Sequence, residues 1–495
     1  MSVSRIGALL TFVVLPAAAQ VQDATDTAAT AVFQSIASFN NDNGYKPYTA
    51  LVQNTDGLLY GTTLYGGAVA NQQFCDLGCG VIFSTGMLND LNAQADFCTD
   101  FPCPSMYPNG LALGIDGHLY GTTQAGYANY GVVFEYAAPF IDTIYDFCAS
   151  SPCTDGAVPQ ATVVQGRDGK LYGTTEGGGA YGYGTVFKVN PTNDAHTTLY
   201  SFNLTDGSSP FAALIQSAPT VSDREGSFYG TTYAGGANGG GTVFRINPSG
   251  ALTTLYSFCA QTNCTDGSSP GVLLQAADGD FYGTTQFGGA DNAGTIFRMT
   301  ASGALTTLHS FCAQTNCADG EDPTGLTQGT DGNFYGTTQT GGARGVGTVF
   351  QITPAGKLTR LYSFCTQAYC ADGANPWGGV IQATNGIFYG TTSAGGIPNE
   401  SCSECGTVFS VSVGLGPFVK TLPTTGTLGT AVTILGTNLY GTTSVTFNGA
   451  PAVFTVNSTA SAITTSVPAG ATTGKVQVIT PSGTLISNVA FQVGP

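Results

Sequence analysis

Short runs of alternating hydrophobic and polar residues, each ended by glycine, aspartate, asparagine or proline, fill the chain from residue 32 to residue 413. The segment that begins at Gly271 shows the pattern well, with β-branched and aromatic residues concentrated in four runs. No window sustains the 3.6-residue period of an amphipathic helix. The pattern predicts four strands in this segment: Gly271–Gln275, Phe281–Thr285, Gly294–Phe297 and Leu305–Phe311.

The tetrapeptide Tyr-Gly-Thr-Thr marks the same point of this pattern in every copy. Successive copies are 52 to 60 residues apart, which is too long for one coil of a β-helix and suits a four-stranded propeller blade. We therefore predict an all-β chain in which residues 32–413 form a seven-bladed β-propeller. The copies begin at Tyr60, Tyr120, Tyr172, Tyr229, Tyr282, Tyr335 and Tyr389.

The two ends of this array carry complementary strands. The chain enters on Val32–Phe39, which has the composition of the fourth strand of a blade, and the last copy ends after its third strand, Gly406–Phe409. Pairing these segments leaves no sheet edge unpaired between the ends of the array, which is the usual protection of edge strands. We therefore predict that the N-terminal strand closes the last blade.

Residues 416–495 carry a different set of strand and turn signals. Gly436-Thr-Asn-Leu439, Phe447-Asn-Gly449 and Val476-Gln-Val478 resemble the motifs of an IPT/TIG domain. The resemblance implies a small immunoglobulin-like β-sandwich that is used for spacing or adhesion.

Residues 1–19 have the features of a secretory signal peptide. Arg5 precedes an apolar run from Ile6 to Leu15, and Ala17-Ala-Ala19 supplies the small residues of a cleavage site. A transmembrane anchor is the alternative, but the apolar run is shorter than the ~20 residues that a bilayer requires. We therefore expect export of a mature protein without a membrane span.

The 14 cysteines all occur in close pairs, as expected for local disulfides in an exported protein. Five pairs lie between the phenylalanine that ends a blade and the next Asp-Gly or its equivalent, and they occur where that connection is long. A zinc site is the alternative, but no histidine accompanies the pairs at ligand spacing. We predict the disulfides Cys75–Cys79, Cys98–Cys103, Cys148–Cys153, Cys259–Cys264, Cys312–Cys317, Cys365–Cys370 and Cys402–Cys405.

The charge of the chain narrows the classes of partner. The formal net charge is -17, and removal of Arg5 with the signal peptide makes it -18. Such a protein repels phosphate backbones and anionic lipid, which excludes nucleic acid as a partner. No Walker-type or dinucleotide-binding glycine pattern stands between a strand and a helix, so we expect no cofactor.

The connections between strands sort onto two ends of the predicted blades. Asp-Gly hairpins and short turns form one end, the hairpin end, and the longer cysteine-containing and Gly-Gly connections form the other, the loop end. Recognition residues collect on long variable loops, so we predict binding at the loop end. Its aromatic residues either pack loops together or form a stacking platform, with Trp377, the sole tryptophan, as the strongest candidate. The candidates are Trp377, Phe211, Tyr48, Tyr65, Tyr127, Tyr181, Tyr233 and Phe287.

Acidic residues at the loop end allow two further interpretations. Five aspartates recur in Asp-Gly-x-x-Pro, where single carboxylates on separate blades favour turn formation over calcium binding. Four other acidic residues could provide the carboxylate pair of a glycosidase, although a solvated acidic rim is the simpler interpretation. The three histidines are scattered, and we expect no metal. The residues are Asp155, Asp206, Asp266, Asp319 and Asp372; Glu176, Asp291, Glu321 and Asp322; and His118, His196 and His309.

The blade signature is Asp-Gly-x-[Leu/Phe]-Tyr-Gly-Thr-Thr, followed by Gly-Gly and Gly-Thr-Val-Phe. It resembles the bacterial extracellular GloVer tandem repeat over residues 32–413, and this resemblance implies an extracytoplasmic protein but no common reaction. We therefore expect a secreted or cell-surface, monomeric, non-catalytic scaffold that binds polysaccharide or an extracellular protein. The alternative is a carbohydrate-active enzyme, a hydrolase or lyase, that uses carboxylates at the loop end.

Overall fold

The structure, a computed structural model, describes residues 31–67, 75–86, 90–98, 103, 105–126, 129–217, 226–398 and 404–494. In these residues the regular structure is β-strand apart from single-turn 3-10 helices at Thr262–Cys264, Thr315–Cys317 and Ala368–Cys370. No helix in this part of the chain is long and apolar enough to cross a membrane. The predicted signal peptide, residues 1–19, lies outside the described residues.

Residues 32–412 form four-stranded antiparallel sheets, seven within the described ranges, and each holds one Tyr-Gly-Thr-Thr copy. We number them first to seventh in the order of those copies. In chain order the strands are β1 (Val32–Ser38) of the seventh sheet; β2 (Val52–Gln53), β3 (Leu59–Thr63), β4 (Val81–Thr85) and β5 (Leu91–Asp96) of the first; β6 (Ser105–Leu113), β7 (Leu119–Gly126), β8 (Val132–Ala137) and β9 (Phe140–Asp146) of the second; β10 (Val164–Gln165), β11 (Leu171–Thr175), β12 (Thr185–Asn190) and β13 (Ala195–Ser201) of the third; β14 (Ile215–Gln216), β15 (Phe228–Thr232), β16 (Thr242–Ile246) and β17 (Leu252–Ser257) of the fourth; β18 (Ser268–Gln275), β19 (Phe281–Phe287), β20 (Thr295–Met299) and β21 (Leu305–Ser310) of the fifth; β22 (Glu321–Gln328), β23 (Phe334–Thr340), β24 (Thr348–Ile352) and β25 (Leu358–Ser363) of the sixth; and β26 (Val380–Gln382), β27 (Phe388–Thr392) and β28 (Thr407–Ser412) of the seventh.

The strand that opens the array completes the seventh sheet. β1 pairs antiparallel with β28, with Val32 opposite Ser412 and Ser38 opposite Thr407. The backbone N–H of Phe39 extends the ladder by donating to the carbonyl of Gly406 at 3.0 Å. The predicted pairing of the two ends is therefore confirmed, and β28 has a partner strand on both sides.

The first two residues of the repeated tetrapeptide hold the hairpin end of each sheet, as the sixth sheet shows. The hydroxyl of the buried Tyr335 donates to the Asp331 carboxylate of its Asp-Gly hairpin at 2.9 Å. Gly336 lies under the ring of Phe350 on the next strand, and a Cβ at this position would be 2.6 Å from that ring. Glycine is therefore required for the close approach of the two strands.

The two threonines of the tetrapeptide have different partners. In the second sheet, the Thr122 hydroxyl donates to the carbonyl of Ala161 in the third sheet at 2.9 Å. In the sixth sheet, Thr338 Oγ1 lies 2.8 Å from Oγ1 of Thr348 on the adjacent strand. The second threonine thus fixes strands within a sheet. The first threonine links its sheet to a neighbour in the first, second, fourth and seventh sheets.

Glutamines at the end of the first strand also connect neighbouring sheets. Gln165 Oε1 in the third sheet accepts the N–H of Ile115 from the second sheet at 2.8 Å. The same bond joins the seventh sheet to the first, where Gln53 Oε1 accepts the N–H of Thr384 at 3.0 Å. Sheets that follow one another in the chain are neighbours in space, and so are the first and the last, which is a propeller-like arrangement.

The second sheet departs from this scheme because Leu113 stands where the other sheets have glutamine. A leucine side chain accepts no hydrogen bond from the preceding sheet. The N–H of Thr55, the residue of the first sheet that corresponds to Thr384, donates instead to Oδ1 of Asn54 at 2.7 Å. The boundary between the first and second sheets therefore lacks the glutamine link.

Hydrophobic clusters fill the space between neighbouring sheets. Tyr282 of the fifth sheet packs on Phe334 of the sixth, with ring centroids 4.1 Å apart. The cluster between the seventh and first sheets contains the buried Phe39, Leu51 and Tyr389. Burial of aromatic rings at each boundary stabilises the array, and the N-terminal segment contributes to it directly.

Residues 419–493 form two further four-stranded sheets that share one hydrophobic core, a β-sandwich. Ile434 and Ile463 from one sheet and Phe447 and Val478 from the other are buried in this core. The assignment to the IPT/TIG family and the boundary at residue 416 stay predictions. One sheet contains β29 (Lys420–Leu422), β31 (Ala431–Leu435), β34 (Phe454–Val456) and β35 (Ala462–Ser466); the other contains β32 (Ser444–Phe447), β33 (Ala450–Pro451), β36 (Val476–Thr480) and β37 (Gly483–Ile486); β30 (Thr425–Gly426) and β38 (Gln492–Val493) form a parallel pair.

The C-terminal sandwich contacts the hairpin end of the array. The Asn457 amide and the Ser461 hydroxyl both donate to the carbonyl of Thr55, at 2.8 Å and 2.6 Å. Lys420 Nζ donates to the carbonyl of Gln382 at 2.5 Å, and burial lowers the pKa of this amine to about 8. The sandwich therefore covers part of the hairpin end, including the boundary without the glutamine link.

Six of the predicted disulfides are confirmed, and each joins cysteines four or five positions apart. The zinc alternative does not apply to these cysteines, because the metal ligand would be a free thiolate. Cys402 lies outside the described residues, so its pairing with Cys405 stays a prediction. The confirmed pairs are Cys75–Cys79, Cys98–Cys103, Cys148–Cys153, Cys259–Cys264, Cys312–Cys317 and Cys365–Cys370.

Candidate functional site

Two of the candidate aromatic residues, from the seventh and first sheets, meet at the loop end. The rings of Trp377 and Tyr48 are 5.5 Å apart and cross at 71°, an edge-to-face contact. The two segments of the chain approach closely here because Trp377 is followed by Gly378, where a Cβ would lie 2.2 Å from the backbone of Thr49. Trp377 remains 36% exposed, so the indole is available to a ligand.

Three tyrosines continue this aromatic surface across the first and second sheets. The ring of Tyr65 lies 5.9 Å from that of Tyr45 and 5.6 Å from that of Tyr107. Lys46 Nζ lies 5.2 Å from the centroid of Tyr45, within the range of a cation–π contact. We call Trp377, Tyr48, Tyr45, Tyr65 and Tyr107 the aromatic platform.

The platform can hydrogen-bond as well as stack. Burial raises the pKa of Tyr48, and the nearby charge of Lys46 opposes this rise. Burial also raises the pKa of Tyr107. Both phenols therefore remain protonated at neutral pH and can donate hydrogen bonds to a neutral ligand.

Sequence reasoning missed Tyr45, Lys46 and Tyr107. Two of them share a signal that could have been found, since each directly precedes a proline near the first strand of a sheet. Lys46 precedes Pro47, before β2, and Tyr107 precedes Pro108, within β6. Both have positive φ, 56° for Lys46 and 60° for Tyr107. Aligning the copies on that proline would have placed these residues beside Tyr48.

The remaining aromatic candidates are distributed elsewhere. Phe211 and Tyr233 of the fourth sheet form a second pair with ring centroids 5.0 Å apart, and the Tyr233 hydroxyl donates to Gln286 Oε1 at 3.0 Å. Within the described ranges, the half-buried Phe287 and the 63% exposed Tyr181 have no ring contact with the other candidates. The structure thus groups four of the eight candidates in two pairs and adds Tyr65 to the platform, while Tyr127 lies outside the described residues.

The recurring loop aspartates are turn formers, as the simpler interpretation predicted. Asp266 is fully buried, and its carboxylate accepts the Tyr256 hydroxyl at 2.8 Å and the N–H groups of Ala260 and Gln261 at 2.9 Å and 3.2 Å. Asp319 occupies the equivalent position in its loop. Its carboxylate lies 3.0 Å from His309 Nε2, and the histidine replaces the tyrosine of the other copies. Equivalent tyrosine contacts occur at Asp155, Asp206 and Asp372.

The carboxylates that the enzyme alternative requires have separate local partners. Gln160 Nε2 donates to Glu176 at 2.5 Å, and Thr340 donates to Asp322 at 3.3 Å. Burial and the adjacent charge of Glu321 raise the pKa of Asp322. Asp291 is exposed. A carboxyl group with a raised pKa beside a second carboxylate has the character of a general acid, so Asp322 is the residue on which the enzyme alternative depends.

The two other histidines considered as catalytic candidates have structural surroundings. His196 stacks on Tyr145 with centroids 4.2 Å apart, and burial lowers its pKa to about 4. This ring is therefore neutral at physiological pH and packs as part of the third sheet. His118 lies at the hairpin end, where its Nδ1 contacts the Glu135 carboxylate.

A large cavity separates the hairpin ends of the second to fourth sheets from the C-terminal sandwich. Its volume is about 1120 Å³, and its wall includes Leu113, Arg167 and Gln216 from the array and Leu422 and Val493 from the sandwich. Nothing in the repeat pattern indicates this cavity, because it depends on how the sandwich is placed on the array.

Solved structures that match this chain are remote in sequence. They include a fungal alcohol oxidase of the AA5 family in complex with copper (12% identity, 94% of this chain and 99% of that chain, TM-score 0.46). They also include an auxiliary nutrient binding protein from Bacteroides ovatus (11%, 78% and 77%, TM-score 0.41) and TolB from Acinetobacter baumannii (11%, 65% and 64%, TM-score 0.36). At TM-scores below 0.5 we base no argument on these likenesses.

No curated protein matches the sequence. In contrast, the family model of the Gloeobacter/Verrucomicrobia repeat matches four overlapping segments, residues 25–222, 107–318, 216–400 and 310–488. Together these segments span nearly the whole chain and contain every Tyr-Gly-Thr-Thr sheet of the array. The chain belongs to the Gloeobacter/Verrucomicrobia repeat family.

Proposed function

We propose that this protein is a secreted or cell-surface, non-catalytic binding protein that holds a neutral polysaccharide on the aromatic platform. In this proposal the array is a seven-bladed β-propeller closed by β1, and residues 416–495 are an IPT/TIG-type module that supports or spaces it. The six disulfides support an extracytoplasmic location, since such bonds persist in oxidising compartments.

The observation that carries the proposal is the contact between Trp377 and Tyr48 at the loop end. Sugar rings present C–H faces that stack on aromatic rings, and their hydroxyl groups accept hydrogen bonds from phenols such as that of Tyr107. The platform combines both features over three neighbouring sheets. The net charge of -18 after removal of Arg5 disfavours an anionic polysaccharide, so the proposed ligand is neutral.

Isothermal titration calorimetry with a panel of neutral glycans tests this proposal. We expect Trp377→Ala to weaken binding by about 1 to 3 kcal/mol, as loss of an aromatic anchor does at buried contacts. Trp377→Phe, which keeps an aromatic ring, should bind more tightly than Trp377→Ala. The matched control is Phe140→Ala, which removes an exposed aromatic ring from the first residue of β9.

Three further results would favour the alternatives or contradict the assignment. Release of reducing sugar that is lost in Asp322→Asn would replace the binding proposal by the enzyme alternative. Capture of a proteinaceous partner from envelope extract by the wild type, but not by Trp377→Ala, would assign the platform to an extracellular protein. Glycan binding that survives Trp377→Ala unchanged would contradict the assignment of the platform.

A further inference from the structure

The second sheet carries acidic side chains without a lysine or arginine in its strands. No lysine or arginine occurs between Lys46 and Arg167, so all four of its strands lack a basic residue. The sheet nevertheless carries carboxylates on its outer strands, and Glu135 on β8 is opposite Asp142 on β9. These carboxylates cannot be neutralised by a lysine or arginine of their own sheet.

Three potential metal ligands, two from the hairpin between β6 and β7 and one from β8, converge at the hairpin end of this sheet. Asp116 lies in the Asp-Gly hairpin, His118 leads into β7, and Glu135 lies on β8 opposite Tyr120. One ligand atom from each of the three residues lies within 4.8 Å of the other two. The Tyr120 hydroxyl supports both carboxylates, at 2.6 Å from Asp116 Oδ2 and 3.3 Å from Glu135 Oε1.

The other sheets show what these three positions hold when the protein supplies its own cation. In the fifth sheet they are Asp278, Asp280 and Arg298, and Arg298 Nε donates to Asp280 Oδ2 at 2.6 Å. In the third sheet they are Asp168, Lys170 and Lys188, of which two are basic. The second sheet is the one in which two carboxylates meet a histidine.

We propose that Asp116, His118 and Glu135 bind a divalent cation of the Zn²⁺ class. One imidazole nitrogen and two carboxylate oxygens are ligands that Zn²⁺ accepts, and imidazole disfavours Ca²⁺ and Mg²⁺, which prefer oxygen. Three protein ligands leave a coordination position for water. The site is accessible from solvent, because Asp116 is exposed and the His118 side chain is 45% exposed. The inference is independent of the proposed platform, and it revises the expectation from sequence that the chain binds no metal.

The test is calorimetric titration of Zn²⁺ into the oxidised, untagged mature protein after treatment with a chelator. We expect one site per chain. The variant His118→Lys/Glu135→Lys, which installs the residues of the third sheet, should fold with an unchanged melting temperature in chelator and should lose the site. The control His309→Tyr, which restores the usual repeat residue beside Asp319, should keep it.

A gain of function checks the assignment of the three positions. Lys170→His/Lys188→Glu places the same residues beside Asp168 in the third sheet, and we expect the number of sites to rise from one to two. The proposal is overturned if the wild type takes up no Zn²⁺, if His118→Lys/Glu135→Lys still binds one ion, or if the third-sheet variant gains no site.

Discussion

The connections into the fourth and fifth sheets are both held in a fixed conformation, but by different interactions. The first, Phe202 to Asp206, is short and has no cysteine, whereas the second, Phe258 to Asp266, holds the Cys259–Cys264 disulfide and a 3-10 turn. Both end in an aspartate whose carboxylate accepts a tyrosine hydroxyl and a backbone N–H of its own loop.

This difference shows which of the two interactions, the hydrogen-bonded aspartate or the disulfide, is the more general. An aspartate that accepts a hydrogen bond from a tyrosine occurs in connections with and without a disulfide, at Asp155, Asp206, Asp266 and Asp372. The disulfide is an addition where the loop is longer. In these two connections Asp266 is fully buried and Asp206 is only partly so. Asp155, beside the Cys148–Cys153 disulfide, is also only partly buried, so the disulfide does not by itself set the burial of the aspartate. Local fastening by a carboxylate is therefore the basic design, and cysteine pairs extend it.

The largest effect should come from removing the strand that joins the two ends of the array. Deletion of the residues before Asn40 removes β1 and the buried Phe39 and leaves β28 as a bare edge. We expect a loss of stability greater than the roughly 3–5 kcal/mol of a single buried Phe→Ala change. Thermal unfolding of the truncated and the full mature protein measures it, and equal melting temperatures would show that closure by β1 contributes nothing.

The next largest effect should distinguish the two aspartates. Asp266→Ala leaves two N–H groups and a tyrosine hydroxyl without their buried acceptor, so we expect a loss of about 2–3 kcal/mol. Asp206→Ala, at the more exposed site, should lose only about 1 kcal/mol. Chemical denaturation measures the free energy of unfolding of both variants. A larger loss of stability in Asp206→Ala than in Asp266→Ala would contradict the expectation that the more buried aspartate contributes more.

The smallest effect should come from the disulfide itself. Cys259→Ser/Cys264→Ser opens a loop of few residues and should lower the free energy of unfolding by about 2 kcal/mol or less, because short loops remove little entropy from the unfolded chain. If this change destabilises the protein more than Asp266→Ala, the disulfide is the principal fastening and the aspartate is secondary.

The repeat made most of the array predictable, because each of its residues has a local role that the sequence displays. The hairpin aspartate, the glycine under a phenylalanine ring and the threonines recur with fixed spacing, and so do the strands between them. The pairing of β1 with β28 was predictable for the same reason, since Val32–Phe39 has the composition of a missing fourth strand.

The site was less predictable because it depends on contacts between sheets. The meeting of Trp377 with Tyr48 follows from the close approach at Gly378, and the addition of Tyr107 depends on a backbone conformation that composition does not display. The convergence of His118 with Glu135 requires the register between β7 and β8, which is fixed only in the folded sheet.

Leu113 has a consequence for the order in which the molecule folds. The boundary that it leaves without a glutamine link is contacted by Asn457 and Ser461, which lie some 400 residues later in the chain than Thr55. During synthesis the first and second sheets emerge early, yet this boundary gains its cover only after the sandwich has folded. We therefore expect amide hydrogen exchange at Thr55 and its neighbours to slow only when the C-terminal sandwich docks, after the strands of the first sheet have formed.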